Sequence, residues 1–295
     1  MLHPITFSIP ECKIVSEIDI KTKILATIIP GDLSTYIYNN ETDYYNDYKT
    51  SIFAVTTQKA GWDCIRHYEI IACGCIPYFP EIKMCPRNTM ALFPKDLIIK
   101  GNELYEEIIR TDGRMLPHLL PDCYGLIQQL LDYMNLHLTT RKMASYILEK
   151  SRHSEVKKIL YLSNDISPDY LRCLTLHGLK ELFGNECHDY PMIPHLYNID
   201  HLDCSSLYGK GFTYSKLLDP ALHNYLADYT IHQDIIQKKY DIVIYGSYHR
   251  GMPLYDLVSK YYTSSEIILL CGEDIHHCDF QKWVSRGHSV FVREL

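Results

Sequence analysis

Short apolar runs of strand length alternate along the chain with segments whose apolar residues fall three or four positions apart. The first pattern suits a buried strand, the second a helix packed along one face. In the first half, residues 5–9, 24–29, 51–56, 76–79 and 97–99 are apolar, often β-branched, and most have Pro, Gly or Asn nearby; they predict strands. Helices are predicted over 63–73, 102–110, 124–134 and 139–150. In the first of these Ile65, Tyr68 and Ala72 share a face, and Gly74 supplies a C-terminal stop. The polar, tyrosine-rich stretch 36–48 reads as a surface loop. Beyond the polar segment 149–155 the alternation resumes: strand 159–162, helix 168–183 stopped by Gly184, strand 241–245, helix 254–262 and strand 267–271.

Alternating strands and helices favour parallel sheets covered on both faces, with ligands bound beyond the carboxyl ends of the strands. The expected fold is therefore α/β, as two Rossmann-like domains facing a cleft, residues 1–152 and residues 153–295. The chain's 295 residues leave room for two such units. With 46% hydrophobic and 22% charged residues it should bury a proper core. A net charge of -7 with scattered basic residues argues against nucleic acid as a partner. The 11 cysteines are odd in number and dispersed, which reads as reduced thiols. The start lacks a basic region followed by an apolar stretch, and no run approaches the roughly 18 apolar residues of a membrane span. A cytoplasmic protein is the expectation.

The richest segment is residues 56–77, which reads as strand, glycine-containing loop, helix, tight turn, strand. A helix that starts after such a loop presents free N–H groups and a positive dipole end, a ready site for phosphate. Lys59 and Arg66 can add charge there, beside Gly61 and Trp62 of the loop. Arg66 and Glu69 are three apart on one helix face, so they either pair or both point into a cleft, where the carboxylate can accept hydrogen bonds from ribose hydroxyls. The plainer alternative is a βαβ unit with a solvated Arg/Glu pair.

The run Arg66-His67-Tyr68-Glu69-Ile70-Ile71-Ala72-Cys73-Gly74-Cys75-Ile76-Pro77 resembles the R-x-Y-E-x-x-x-x-G-C-I-P segment of exostosin-like glycosyltransferases, and more loosely a turn of many two-domain, GT-B-fold sugar transferases. The likeness covers some 16 residues, 64–79. It implies that the first half is the nucleotide-sugar domain, with Glu69 as the ribose-binding carboxylate and Gly61, Arg66 and Gly74 near the diphosphate. Two departures matter. Many retaining members carry an acidic residue eight positions before the ribose-binding one, where this chain has Gly61, so retention is not supported. The motif also lies in the first third, whereas the nucleotide-sugar domain of such enzymes usually comes second; a circularly permuted order is the expectation.

In the second half, residues 272–277 follow the strand 267–271 and should sit at a carboxyl strand end. Inverting sugar transfer needs a base for the acceptor hydroxyl, and Asp274, then His276, are the candidates. The strand-end loops 163–165 and 246–251 are further candidates, against the alternative that their polar residues only cap turns. Cys73, Cys75, Cys85 and Cys278 with its neighbouring histidines lack paired C-x-x-C spacing, so no metal site is expected. The expectation is a metal-independent glycosyltransferase with no cofactor, moving a sugar from a nucleotide-sugar donor to a glycan or other hydroxyl acceptor with inversion. A non-catalytic nucleotide- or glycan-binding protein of the same fold is the alternative. A dinucleotide-dependent oxidoreductase ranks last, because no G-x-G-x-x-G follows a strand.

Overall fold

The computed structural model describes residues 1–111, 117–274 and 278–295. Strand β1 (Leu2–Pro4) opens the chain, and β2 (Lys23–Leu25), α1 (Glu41–Lys49), β3 (Ser51–Val55), α2 (Ile65–Ala72) and β4 (Ile76–Tyr78) follow. Strands β2, β3 and β4 form a small parallel sheet in that order. Three helices come next: α3 (Lys95–Arg110), α4 (Leu119–His137) and α5 (Thr140–Lys150). The second half runs β5 (Ile159–Leu162), α6 (Tyr170–Phe183), β6 (Cys187–Tyr190), α7 (Tyr225–Ile236), β7 (Ile242–Tyr245), α8 (Tyr255–Tyr261), β8 (Ile267–Cys271), α9 (Phe280–Ser285) and β9 (Ser289–Val292). Its strands join β1 in a six-stranded sheet of order β1-β9-β8-β7-β5-β6, every pairing parallel.

The fold is thus α/β with two parallel sheets, as the alternating pattern predicts. β5, β7 and β8 are apolar without interruption and buried throughout, the mark of parallel strands covered on both faces. Helix α6 starts at Asp169, whose carboxylate accepts the Arg172 N–H at 3.0 Å, and stops at Gly184. It also packs tightly on α5: a side chain at Gly178 would put its Cβ 2.0 Å from the Thr140 carbonyl oxygen, so only glycine fits. One apolar core runs through both sheets, with Phe53 and Ile76 of the small one and Ile159, Ile242 and Ile268 of the large one in a single cluster.

Several expectations are corrected. Residues 97–99 lie inside α3, since a three-residue apolar run cannot by itself tell a strand from one turn of a helix. Residues 5–9 are buried and extended but outside the named strands, joined to the rest by the Ile5 N–H on Val292 and an isolated bridge from Ile9 to Thr139. The stretch 36–48 is not all loop: Asn40 caps α1, which buries Tyr44, Tyr45 and Tyr48. Strands β6 and β9 and helices α1, α7 and α9 were not foreseen. Among the described residues, no helix is long and apolar enough to cross a membrane.

Candidate functional site

A cleft of about 1060 Å³ lies where the carboxyl ends of both sheets meet. That is just above the roughly 300–1,000 Å³ usual for ligand sites. Ile28 beyond β2 and Lys59 to Gly61 beyond β3 line one wall, together with the start of α2. Residues beyond β5, β7, β8 and β9 line the other: Asp169, Arg250, Gly272, Asp274 and Arg293. A strap from Ser206 to Phe212 closes one side. In the large sheet the chain passes from β5 to β6 on one side and then to β7 on the other, so the winding reverses at β5, where α/β sheets form their ligand crevice.

On the small-sheet wall the glycine loop is already filled. Glu294 accepts the Trp62 N–H at 3.1 Å and the Asp63 N–H at 3.0 Å, so the protein's own carboxylate occupies donors that a phosphate would need. Gly61 permits this approach, for a Cβ there would sit 2.5 Å from Glu294 Oε1 and 3.1 Å from Asp274 Oδ1. One turn further on, the start of α2 faces the cleft through Cys64, Ile65 and Arg66. Arg66 is only 9% exposed. Its Nη2 donates to the Tyr36 hydroxyl at 2.8 Å, and the guanidinium lies 5.4 Å from the centre of the Tyr36 ring. Its Nε has no partner, and among the described residues no carboxylate forms an ion pair with it. Lys59, exposed at the rim, holds its ammonium 6.0 Å from the same ring.

Glu69 lines the cleft one turn along the helix and does not pair with Arg66. Two hydroxyl relays converge on it instead. The Tyr48 hydroxyl donates to Tyr44 at 3.2 Å, and Tyr44 donates to Glu69 Oε2 at 2.6 Å. Thr213 donates to Glu69 Oε1, and because a hydroxyl has one proton to give, Tyr45 must donate to Thr213 across their 2.8 Å contact. Burial pushes the Glu69 carboxyl above its ordinary range, while the hydrogen bonds from Thr213 and Tyr44 act against that rise.

The large-sheet wall is built from matched charge. Arg293 is buried and donates to the carboxylates of Asp274 and Glu294 and to the carbonyls of Asp63 and Gly272. Asp63 takes the Phe7 N–H at 2.7 Å and the Tyr68 hydroxyl at 2.8 Å. Burial raises its carboxyl to about 6, even with Arg293 close by. Asp169 accepts from Ser247 at 2.7 Å and lies 3.4 Å from Arg250. Asp274 is half exposed; Arg293 holds Oδ1, and among the described residues nothing bonds Oδ2.

The cleft thus brings together Lys59, Gly61, Arg66, Glu69 and Asp274 of the residues singled out in the sequence. It does not include Trp62, whose ring packs 6.2 Å from Phe79 while its N–H serves Glu294. Gly74 is corrected as a diphosphate neighbour. It sits at the far end of α2, about 12 Å along an eight-residue helix, as a turn with φ +64° against Val15 and Ile127. His276 lies outside the described residues. Asp63, Arg293, Tyr36 and Thr213 are site residues that the sequence did not single out. Only Arg293-Glu294, a charged pair directly after an apolar run, carried a readable signal, that of a strand-end position. Among the described residues, no cluster of three or more His, Cys, Asp or Glu could hold a metal ion. Comparison with protein-family models, with curated proteins and with solved structures found no match.

Proposed function

We propose that the protein is a glycosyltransferase of GT-B-like arrangement that takes a nucleotide-diphosphate-sugar donor and a hydroxyl acceptor and works by inversion without a metal. The observation that carries this reading is Arg66, a buried guanidinium with an unpartnered Nε and no carboxylate partner, at a helix start that faces a large cleft. The Tyr36 hydroxyl and the nearby charge of Glu69 support this guanidinium only in part, and a diphosphate at this position supplies the charge-assisted bonds that Nε lacks. Lys59 at the rim adds a second cation, and the aromatic rings of Tyr36, Tyr38 and Tyr208 offer faces for a base or a sugar.

In the proposed reaction the acceptor oxygen attacks the anomeric carbon from the face opposite the leaving group, and the bond from that carbon to the diphosphate oxygen breaks. The acceptor's proton passes to a carboxylate. Asp274 fits this role better than Asp63, whose two oxygens are already hydrogen-bonded, because Asp274 keeps Oδ2 open. The negative charge that grows on the diphosphate is met by Arg66, Lys59 and the N–H groups at the start of α2. The family likeness of residues 66–77 supports Glu69 as the ribose-binding carboxylate, and its oxygens each keep one lone pair beyond the Tyr44 and Thr213 bonds.

The Asp274–Arg293 pair favours a second reading, a binding protein without turnover, since a carboxylate paired with arginine is a weaker base. Calorimetric titration with UDP, GDP, ADP and CDP, followed by a donor-hydrolysis assay with the matching nucleotide sugars, separates the two. Binding with hydrolysis that Asp274→Asn abolishes supports transfer. Binding with no turnover supports the second reading, and no binding of any diphosphate at millimolar concentration sinks both.

A further inference from the structure

The strap that closes the cleft leaves the large-sheet half and, with Thr213 directly after it, is hydrogen-bonded to Tyr38, Asn39, Glu41 and Glu69 of the small-sheet half. Lys210 Nζ donates to the Tyr38 carbonyl at 2.8 Å and to Asn39 Oδ1 at 2.7 Å. The Thr213 N–H donates to Glu41 Oε1 at 2.7 Å, and the Thr213 hydroxyl donates to Glu69. The backbone is unusual here: Gly209, Lys210, Gly211 and Thr213 have φ of +59°, +57°, +73° and +74°. A β-branched residue at such a φ is a real outlier, and strain of this kind persists only where the surroundings hold it.

We propose that Thr213 is a positioning residue for ribose recognition. This rests on the donor-site reading, in which Glu69 meets the ribose hydroxyls. Thr213 is 1% exposed and spends its single proton on Glu69 Oε1 while accepting from Tyr45. With Tyr44 fixed on Oε2, the carboxylate is held at both oxygens and cannot swing, and its remaining lone pairs are kept for the ligand. The carboxylate and one of its two supports, Tyr44, come from the small-sheet half and the second support, Thr213, from the other half, so full aim of the carboxylate depends on the two halves being joined there. Removing the Thr213 side chain frees Oε1, and the site then loses its preference for ribose without losing its hold on the diphosphate.

The test is calorimetric titration with whichever of UDP, GDP, ADP and CDP binds best, alongside its 2′-deoxy and 3′-deoxy forms. Thr213→Gly is the main variant, because glycine adopts φ +74° without strain and removes only the side chain. Thr213→Ser keeps the hydroxyl. The intact protein should prefer the ribonucleotide over at least one deoxy form by about tenfold, a bond to a charged acceptor. Thr213→Ser should retain that ratio. Thr213→Gly and Glu69→Gln should bring it to within about twofold while binding of the deoxy form stays near its original strength. Equal weakening of both ligands by Thr213→Gly, or an unchanged ratio, overturns the positioning role and leaves the donor site standing. An intact protein that binds none of the diphosphates removes both.

Discussion

The two walls of the cleft handle charge in opposite ways. On the large-sheet wall both cations are answered: buried Arg293 by Asp274 and Glu294, and exposed Arg250 by Asp169. On the small-sheet wall Arg66 and Lys59 face the same space with no ion pair among the described residues: the charge of Glu69 acts on Arg66, but its oxygens are hydrogen-bonded to hydroxyls. Matched charge holds an architecture together and gains little from a ligand. On the proposed donor-site reading, an arginine with an open Nε and no ion pair is the one that gains from an anion. On that reading the difference separates structural arginines from binding ones.

The comparison breaks if the two arginines behave alike. Arg293→Met should cost about 3–5 kcal/mol, because it leaves Asp63 and Glu294 buried without a cation, and urea unfolding should show the midpoint fall. The second effect concerns Asp63, whose folded carboxyl at about 6 stands above the ordinary 3.8. The native state then holds a proton that the unfolded chain releases, so this group's contribution falls as pH rises from about 4 to about 6, by up to roughly 3 kcal/mol. Asp63→Asn should remove that fall, read by thermal unfolding across the window. His67, pushed down to about 3 by burial, acts with the opposite sign in both proteins and cancels in the difference. Third, Arg66→Met should leave the urea midpoint nearly unchanged yet weaken nucleoside diphosphate binding by about thirtyfold, the loss of one charge-assisted bond. A large stability loss with unchanged binding would make Arg66 another structural arginine. The smallest effect is expected for Tyr36→Phe, which removes the acceptor for Nη2 and should cost binding about threefold to tenfold in the same titration.

Where local pattern decides an element, the sequence was readable. β5 and β8 fall at the predicted residues, α6 ends before Gly184, and the helix that carries Arg66 and Glu69 is where its apolar spacing puts it. Helix α1 was hidden because its inward face is tyrosine, a residue that looks polar in a pattern while packing as an aromatic ring. Of the 25 tyrosines, Tyr36, Tyr38, Tyr44, Tyr170 and Tyr208 line the cleft and Tyr44, Tyr45 and Tyr48 carry the hydroxyl relays to Glu69, while others such as Tyr161, Tyr197 and Tyr245 are plain core. Half of the site was legible for the same reason: the loop and α2 lie within one short segment. The other half was not, because Arg293 and Glu294 meet Asp63 across more than two hundred residues and Thr213 reaches Glu69 across 144, separations that leave no local periodicity.

The pairing of β1 with β9 has a bearing on synthesis. Strand β1 has its sheet neighbour at residues 289–292, and the glycine loop at residue 61 is clamped by residues 293 and 294. Contacts of such long sequence separation form late and slowly. A ribosome-bound chain short of residue 294 therefore carries β1 and the glycine loop without their partners, and the cleft cannot take its final shape until residues 289–294 have been made.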